Sequence, residues 1–248
     1  MFDTITIAAV AGTFLIAGAV KGVIGLGLPT ISLALLTAAF DLTTAMALLL
    51  VPSFATNLWQ AAVGGNFAAI LSRIWPFLLM ATGTIWLGAI VLTHVDLSIL
   101  SALLGALLVA YSVLSLAGFR LAISARHETW AAPLMAAANG ILTGMTGSFV
   151  VPGVLYLQSI GLPRDMLIQA MGVLFTASTL ALGLALGSNN LLTVDLGTLS
   201  AAALVPAAIG MVFGQKIRQT LSETLFRRVF FTALLVLGAY IIANAVLA

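Results

Sequence analysis

The pattern G-x-x-x-G-x-x-G occurs twice, as Gly18-Gly22-Gly25 and as Gly140-Gly144-Gly147, with the copies 122 residues apart in a chain of 248. With 23 glycines in the chain, chance would give roughly 0.2 such matches, so the pair reads as an internal duplication. A proline follows each copy, Pro29 in the first and Pro152 in the second. Both copies sit in long apolar stretches. Duplicated, Gly/Pro-interrupted apolar segments in corresponding halves of a chain point to the binding site of a membrane transporter.

Composition agrees with a bilayer. The chain is 62% hydrophobic and 6% charged, with a mean hydropathy of +1.23, and so few charges cannot cover a soluble surface. The first residues carry Asp3 and no cation, which does not suit the basic start of a cleaved leader, so they read as a membrane segment. The absence of cysteine excludes disulfides, thiolate metal sites and thiol catalysis. His94 and His127 stand outside any cluster with metal-ligand spacing. Neither H-E-x-x-H nor a serine with a membrane-embedded histidine partner is present. No catalytic residue, metal or cofactor is therefore expected, and the chain reads as a non-enzyme. The basic balance reflects cations at helix ends and calls for no nucleic acid.

Ten apolar segments follow from the turn and charge signals, at about 4–20, 24–40, 43–63, 70–93, 98–118, 131–146, 148–161, 165–187, 197–213 and 226–247. If the chain changes sides at each, Lys21, Arg73, Arg120, Arg126, Arg164, Lys216, Arg218, Arg227 and Arg228 share one side, and Asp3, Asp41, Asp96 and Asp195 fall on the other. The basic side is then cytoplasmic, and both termini lie outside. Treating 4–40 and 131–161 as single helices splits the cations between sides. Five segments per half also invert the second half relative to the first. The expected fold is an all-α polytopic membrane protein of two inverted-topology repeats, 1–118 and 131–248, joined by a cytoplasmic linker at 119–130. The first two segments of each repeat form a Gly-rich broken helix. Two thin crossings and a re-entrant hairpin give the same sidedness; the hairpin is favoured because a segment of about 16 residues spans only about 24 Å as a helix. Trp75 and Trp130 read as interfacial belt residues, and Lys216 to Arg228 as a cytoplasmic loop whose cations set topology and need no ligand.

The Gly-rich tips carry the functional expectation. A helix start near Leu28-Pro29, or near Ser148-Phe149, leaves unpaired N–H groups at the positive end of a helix dipole, a ready anion site. Residues at the tips are Lys21, Gly22, Gly25 and Gly27 in the first, and Thr143, Gly144, Thr146, Gly147 and Ser148 in the second, with Pro29 and Pro152 as breaks. The competing reading is packing, because G-x-x-x-G also serves close helix approach and recurs at Gly183/Gly187 and Gly210/Gly214. Lys21 is either an intramembrane functional residue or an ordinary loop lysine. Ser53, Thr56, Asn57 and Gln60 fall on one helical face, and the corresponding segment of the second half carries Gln169, Thr176, Ser178 and Thr179. These stripes read as a donor-rich lining or as helix–helix glue.

Two halves of this kind, each opening on a Gly-rich break followed by Pro in roughly 250 residues, resemble the sulfite exporter TauE/SafE family of bacterial permeases. The resemblance is strongest over about 12–62 and 134–187. It implies a multi-pass protein of the bacterial inner membrane, with lipid around it and a homodimer as an allowed assembly. It also implies export of a small sulfur-containing anion such as sulfite or an organosulfonate. A transporter of another small solute (another anion or a metal cation) and a passive anion channel are the alternatives.

Overall fold

The computed structural model describes residues 2–119, 121–218 and 222–247. Arg120, one of the cations in the sidedness argument, lies outside them. The described residues form helices and no strand: α1 (Thr4–Ile24), α2 (Leu28–Ala39), α3 (Leu42–Ala62), α4 (Phe67–Gly83), α5 (Ile85–Leu92), α6 (Leu97–Leu116), α7 (Ala125–Thr146), α8 (Gly153–Ser159), α9 (Arg164–Ser188), α10 (Val194–Ile217) and α11 (Glu223–Leu247). Among the described residues, seven stretches are long and apolar enough to cross a membrane: α1, α3, α4 with α5, α6, α9, α10 and most of α11.

Three of the four aspartates grouped by the sequence reading, Asp3, Asp41 and Asp96, accept hydrogen bonds at a helix start. Asp3 accepts from the Thr6 N–H at 3.1 Å and Asp96 from the Ser98 N–H at 2.8 Å, satisfying donors that a helix N-terminus leaves orphaned. Bonds from Thr6 and from Ser98 hold these two carboxyls below the usual aspartate range. Asp41 accepts from the Thr44 N–H and from the hydroxyls of Thr43 and Thr44 ahead of α3.

Two boundaries differ from the sequence reading. The helix α1 continues through Lys21 and Gly22 to Ile24, so its break falls at Gly25–Gly27 rather than after residue 20. The helix α7 reaches back to Ala125, into the stretch read as linker, because Ser124 accepts from the His127 and Glu128 N–H groups and starts the helix early. At 21 and 22 residues, α1 and α7 are about 31 and 33 Å long, but of the two only α1 is also apolar enough to cross the membrane. The short members of each pair are therefore α2 and α8 alone. The loop expected at 216–228 also shrinks: Lys216 lies in the last turn of α10, and Arg227 and Arg228 lie in α11.

The chain divides into two compact units, and neither follows a sequence half. The first takes Met1–Pro52, Asp96–Gly118 and Asn190–Ala248; the second takes Ser53–Val95 and Phe119–Asn189. In the first, α1 packs along α10, and α11 packs on α6 and α2. In the second, α7 packs on α4 and α5, and α9 packs on α4, α5, α7 and α8. Pro52 lies inside the continuous helix α3, where the first unit ends. Proline cannot donate to the carbonyl four residues back. That carbonyl, of Leu48, instead accepts from the Ser200 hydroxyl of α10 at 2.8 Å, while Ser200 Oγ accepts from the Val51 N–H at 3.1 Å.

Candidate functional site

The two Gly motifs do the same two jobs. Their first two glycines are helix contacts: a Cβ at Gly18 or Gly22 would lie 2.1 Å from the Ala207 oxygen or 2.2 Å from the Met211 oxygen of α10. One at Gly140 or Gly144 would lie 2.1 Å from the Ala81 or Ile85 oxygen. The partner α10 answers with Gly210 and Gly214, and α5 with Gly88. This is close backbone packing of the kind small residues permit in membranes, and it accounts for Gly22 and Gly144 without a ligand. The third glycines end the helices. Gly25 and Gly147 are left-handed, at φ 78° and 72°, and donate to the carbonyls of Lys21 and Thr143, both at 2.8 Å. A left-handed residue after the last turn favours glycine.

Beyond the break the copies diverge. In the first, α2 starts at Leu28 with Pro29 in its opening turn, as expected, and Gly27 is left-handed at φ 109°. In the second, no helix begins at Ser148-Phe149; the start is delayed to Gly153, with Pro152 at the cap. Local bonds hold the intervening stretch open. The Thr143 hydroxyl donates to the Ser148 carbonyl at 2.9 Å, and the Ser148 N–H donates to Thr146 Oγ1 at 3.3 Å. Phe149 is buried against Phe175 of α9, with ring centroids 6.0 Å apart.

Asn139, which the sequence reading did not single out, sits where α7, α8 and α9 meet. Its Oδ1 accepts from the Gly153 N–H at 2.9 Å, and a Cβ at Gly153 would lie 3.0 Å from Leu174 of α9. That bond fixes the amide's orientation, and the fully buried Nδ2 has no partner. Ser178, one turn beyond Leu174 on the same face of α9, is also fully buried with an unpartnered hydroxyl, and so is Ser53 of α3. The only hint in the sequence was an asparagine next to a motif glycine.

A model of one family, described as Sulfite exporter TauE/SafE, matches residues 10–241. The chain belongs to the TauE/SafE family. No curated protein and no solved structure matches it. As a TauE/SafE protein it is a multi-pass membrane transporter.

In this TauE/SafE chain the sequence candidates divide between the units. Thr56, Asn57, Thr143, Gly144, Thr146, Gly147, Ser148, Gln169, Thr176 and Ser178 belong to the second, and Lys21, Gly22, Gly25 and Gly27 to the first. The face of α3 carrying Ser53, Thr56, Asn57 and Gln60 meets α9: Gln60 Nε2 donates to the Ile168 carbonyl at 2.7 Å, and Gln169 Nε2 to the Ala61 carbonyl at 2.8 Å. Gln169 Oε1 also accepts from the Asn66 N–H at 3.1 Å, so both ends of this amide hold α3 and the turn after it. Thr176 donates to the Gly172 carbonyl, Thr179 to that of Phe175 and Thr146 to that of Leu142, each within its own helix. Lys21 is the only charged side chain among the described buried residues.

Proposed function

We propose that this TauE/SafE protein is a saturable carrier that exports sulfite or a small organosulfonate across the cytoplasmic membrane. The observation that carries the reading is Asn139 Nδ2, a donor-only atom buried without a partner. Such a group lacks only an acceptor, and leaving it unmet costs about 1–3 kcal/mol. Sulfite and sulfonates present three acceptor oxygens and no donor when ionised. The unpartnered hydroxyls of Ser53 and Ser178 supply further donors in the same unit. No aspartate or glutamate is among the described buried residues, which suits an anion and counts against a divalent metal. Thr56, Asn57, Thr143 and Ser148 complete the proposed lining, while Gln169 and the motif glycines position it. Cations gathered on one face set the cytoplasmic side, and a negative interior then favours anion exit by about 2.3 kcal/mol per charge per 100 mV. Lys21, buried in α1, is the candidate for coupling to protons.

The test is sulfite efflux from proteoliposomes under an imposed potential, with sulfate and chloride as competitors. Saturable, potential-sensitive flux is expected, and Asn139→Asp, which keeps an acceptor for Gly153 and removes the N–H donor, lowers it at least about tenfold. Flux linear in concentration would make the protein a channel. Absence of flux for sulfite and sulfonates from folded protein would reject the substrate class. A Lys21→Gln variant with an unchanged pH profile removes Lys21 from the mechanism.

A further inference from the structure

Helices α6 and α11 touch near their middles. A Cβ on Gly105 would lie 2.7 Å from the Gly238 oxygen, and one on Gly238 would lie 2.9 Å from the Gly105 oxygen. Toward the end of α6 and the start of α11, a cavity of about 510 Å³ is lined by residues of both helices. Arg227 and Arg228 line it together with the hydroxyl residues Ser115, Thr224 and Thr232. No carboxylate is among the described residues of its wall. The Arg227 guanidinium stands 5.8 Å from the centre of the Phe231 ring, also in the wall, so its position is set by a cation–π contact.

Depth identifies the setting. Ser115 lies ten residues from Gly105, and Arg228 ten from Gly238, each about 15 Å along a helix axis. That is half of the roughly 30 Å hydrocarbon core. With the crossing at mid-membrane, the cavity falls where acyl chains meet headgroups. On the mid-membrane side of the arginines on α11, Val229 and Val236 are 61% and 64% exposed, an apolar surface leading inward from a cationic, hydroxyl-lined notch. Guanidinium groups match phosphate oxygens in charge and geometry, and basic pockets between membrane helices suit anionic headgroups.

We propose that this notch binds the phosphate of an anionic phospholipid, whose acyl chains run inward along Val229 and Val236. The ligand chemistry is a phosphate ester, and the test separates a lipid from free phosphate. Detergent-purified protein is titrated with dihexanoyl phosphatidylglycerol, with dihexanoyl phosphatidylcholine, and with inorganic phosphate, following the unfolding midpoint. Phosphatidylglycerol is expected to raise the midpoint saturably and the other two to leave it unchanged. The double variant R227Q/R228Q binds roughly tenfold or more weakly. Ser115→Leu fills the notch while keeping every charge, so it reports on the site even if the arginine variant inserts wrongly. An equal shift with inorganic phosphate, no shift with phosphatidylglycerol, or an undiminished shift in Ser115→Leu would each overturn the proposal.

Discussion

A buried serine hydroxyl with nothing to bond carries a desolvation cost that a methyl group would not, and Ser178 carries it in full. Replacing Ser178 with alanine removes the orphan atom, so the unfolding midpoint should hold or rise. If the hydroxyl is kept for the transported anion, transport should fall by about 10- to 100-fold in kcat/KM, the worth of one hydrogen bond to a charged group. Thermal unfolding and sulfite flux on the same preparation check both halves. A variant that transports normally would return Ser178 to plain packing. Polarity at this scale was readable in the sequence, but availability was not. Thr176, Thr179 and Ser178 look alike as letters in one segment, yet two of them spend their hydroxyls on carbonyls of their own helix and one does not. Backbone back-bonding of this kind leaves no mark in the pattern of residues.

Glycine spacing shows at the level of elements how one motif can be half packing and half punctuation. Within α1, a Cβ on Gly12 would meet nothing within 4 Å, whereas one on Gly22 would meet the Met211 oxygen at 2.2 Å. Gly12→Ala should therefore leave thermal stability unchanged or slightly raised. Gly22→Ala should lower it by about 1–3 kcal/mol or more, because backbone cannot yield as a side chain can. Equal midpoints for the two variants would contradict the α1–α10 contact. The proline inside α3 makes a similar demand on its neighbour. Ser200→Ala strands the Leu48 carbonyl and the Val51 N–H, with an expected loss of about 1–3 kcal/mol in denaturation experiments. An unchanged midpoint would mean that water or another group takes over. The breaks at Gly25 and Gly147 were legible because a left-handed residue favours glycine. The end of α1 and the start of α7 were not. Lys21 stood between an intramembrane residue and a loop lysine, and the run Ala125 to Trp130 read as linker, whereas glycine packing carries α1 past its lysine and the first bonds of α7 run to the Ser124 carbonyl, ahead of its apolar stretch.

For the whole molecule, the apolar content declared an all-helical membrane fold, but an apolar stripe does not name its partner. In the first unit α1 of the first half lies on α10 of the second, and in the second unit α7 of the second half lies on α4 and α5 of the first. The motif glycines of α1 and α7, 122 residues apart in sequence, stand at the contact in both cases. Each half therefore keeps its glycine face without its natural cover when the other half is absent. Cutting the chain after Gly118, ahead of α7, should yield fragments that insert but do not fold alone. Expressed singly, 1–118 and 119–248 are expected to be protease-sensitive and to show no cooperative unfolding. Expressed together, they should copurify and regain the midpoint of the intact chain to within a few degrees, since the cut breaks no helix. Adding Gly22→Ala to the first fragment should weaken that recovery, because α1 then cannot seat on α10. A single fragment that unfolds cooperatively by itself would sink the interleaved arrangement.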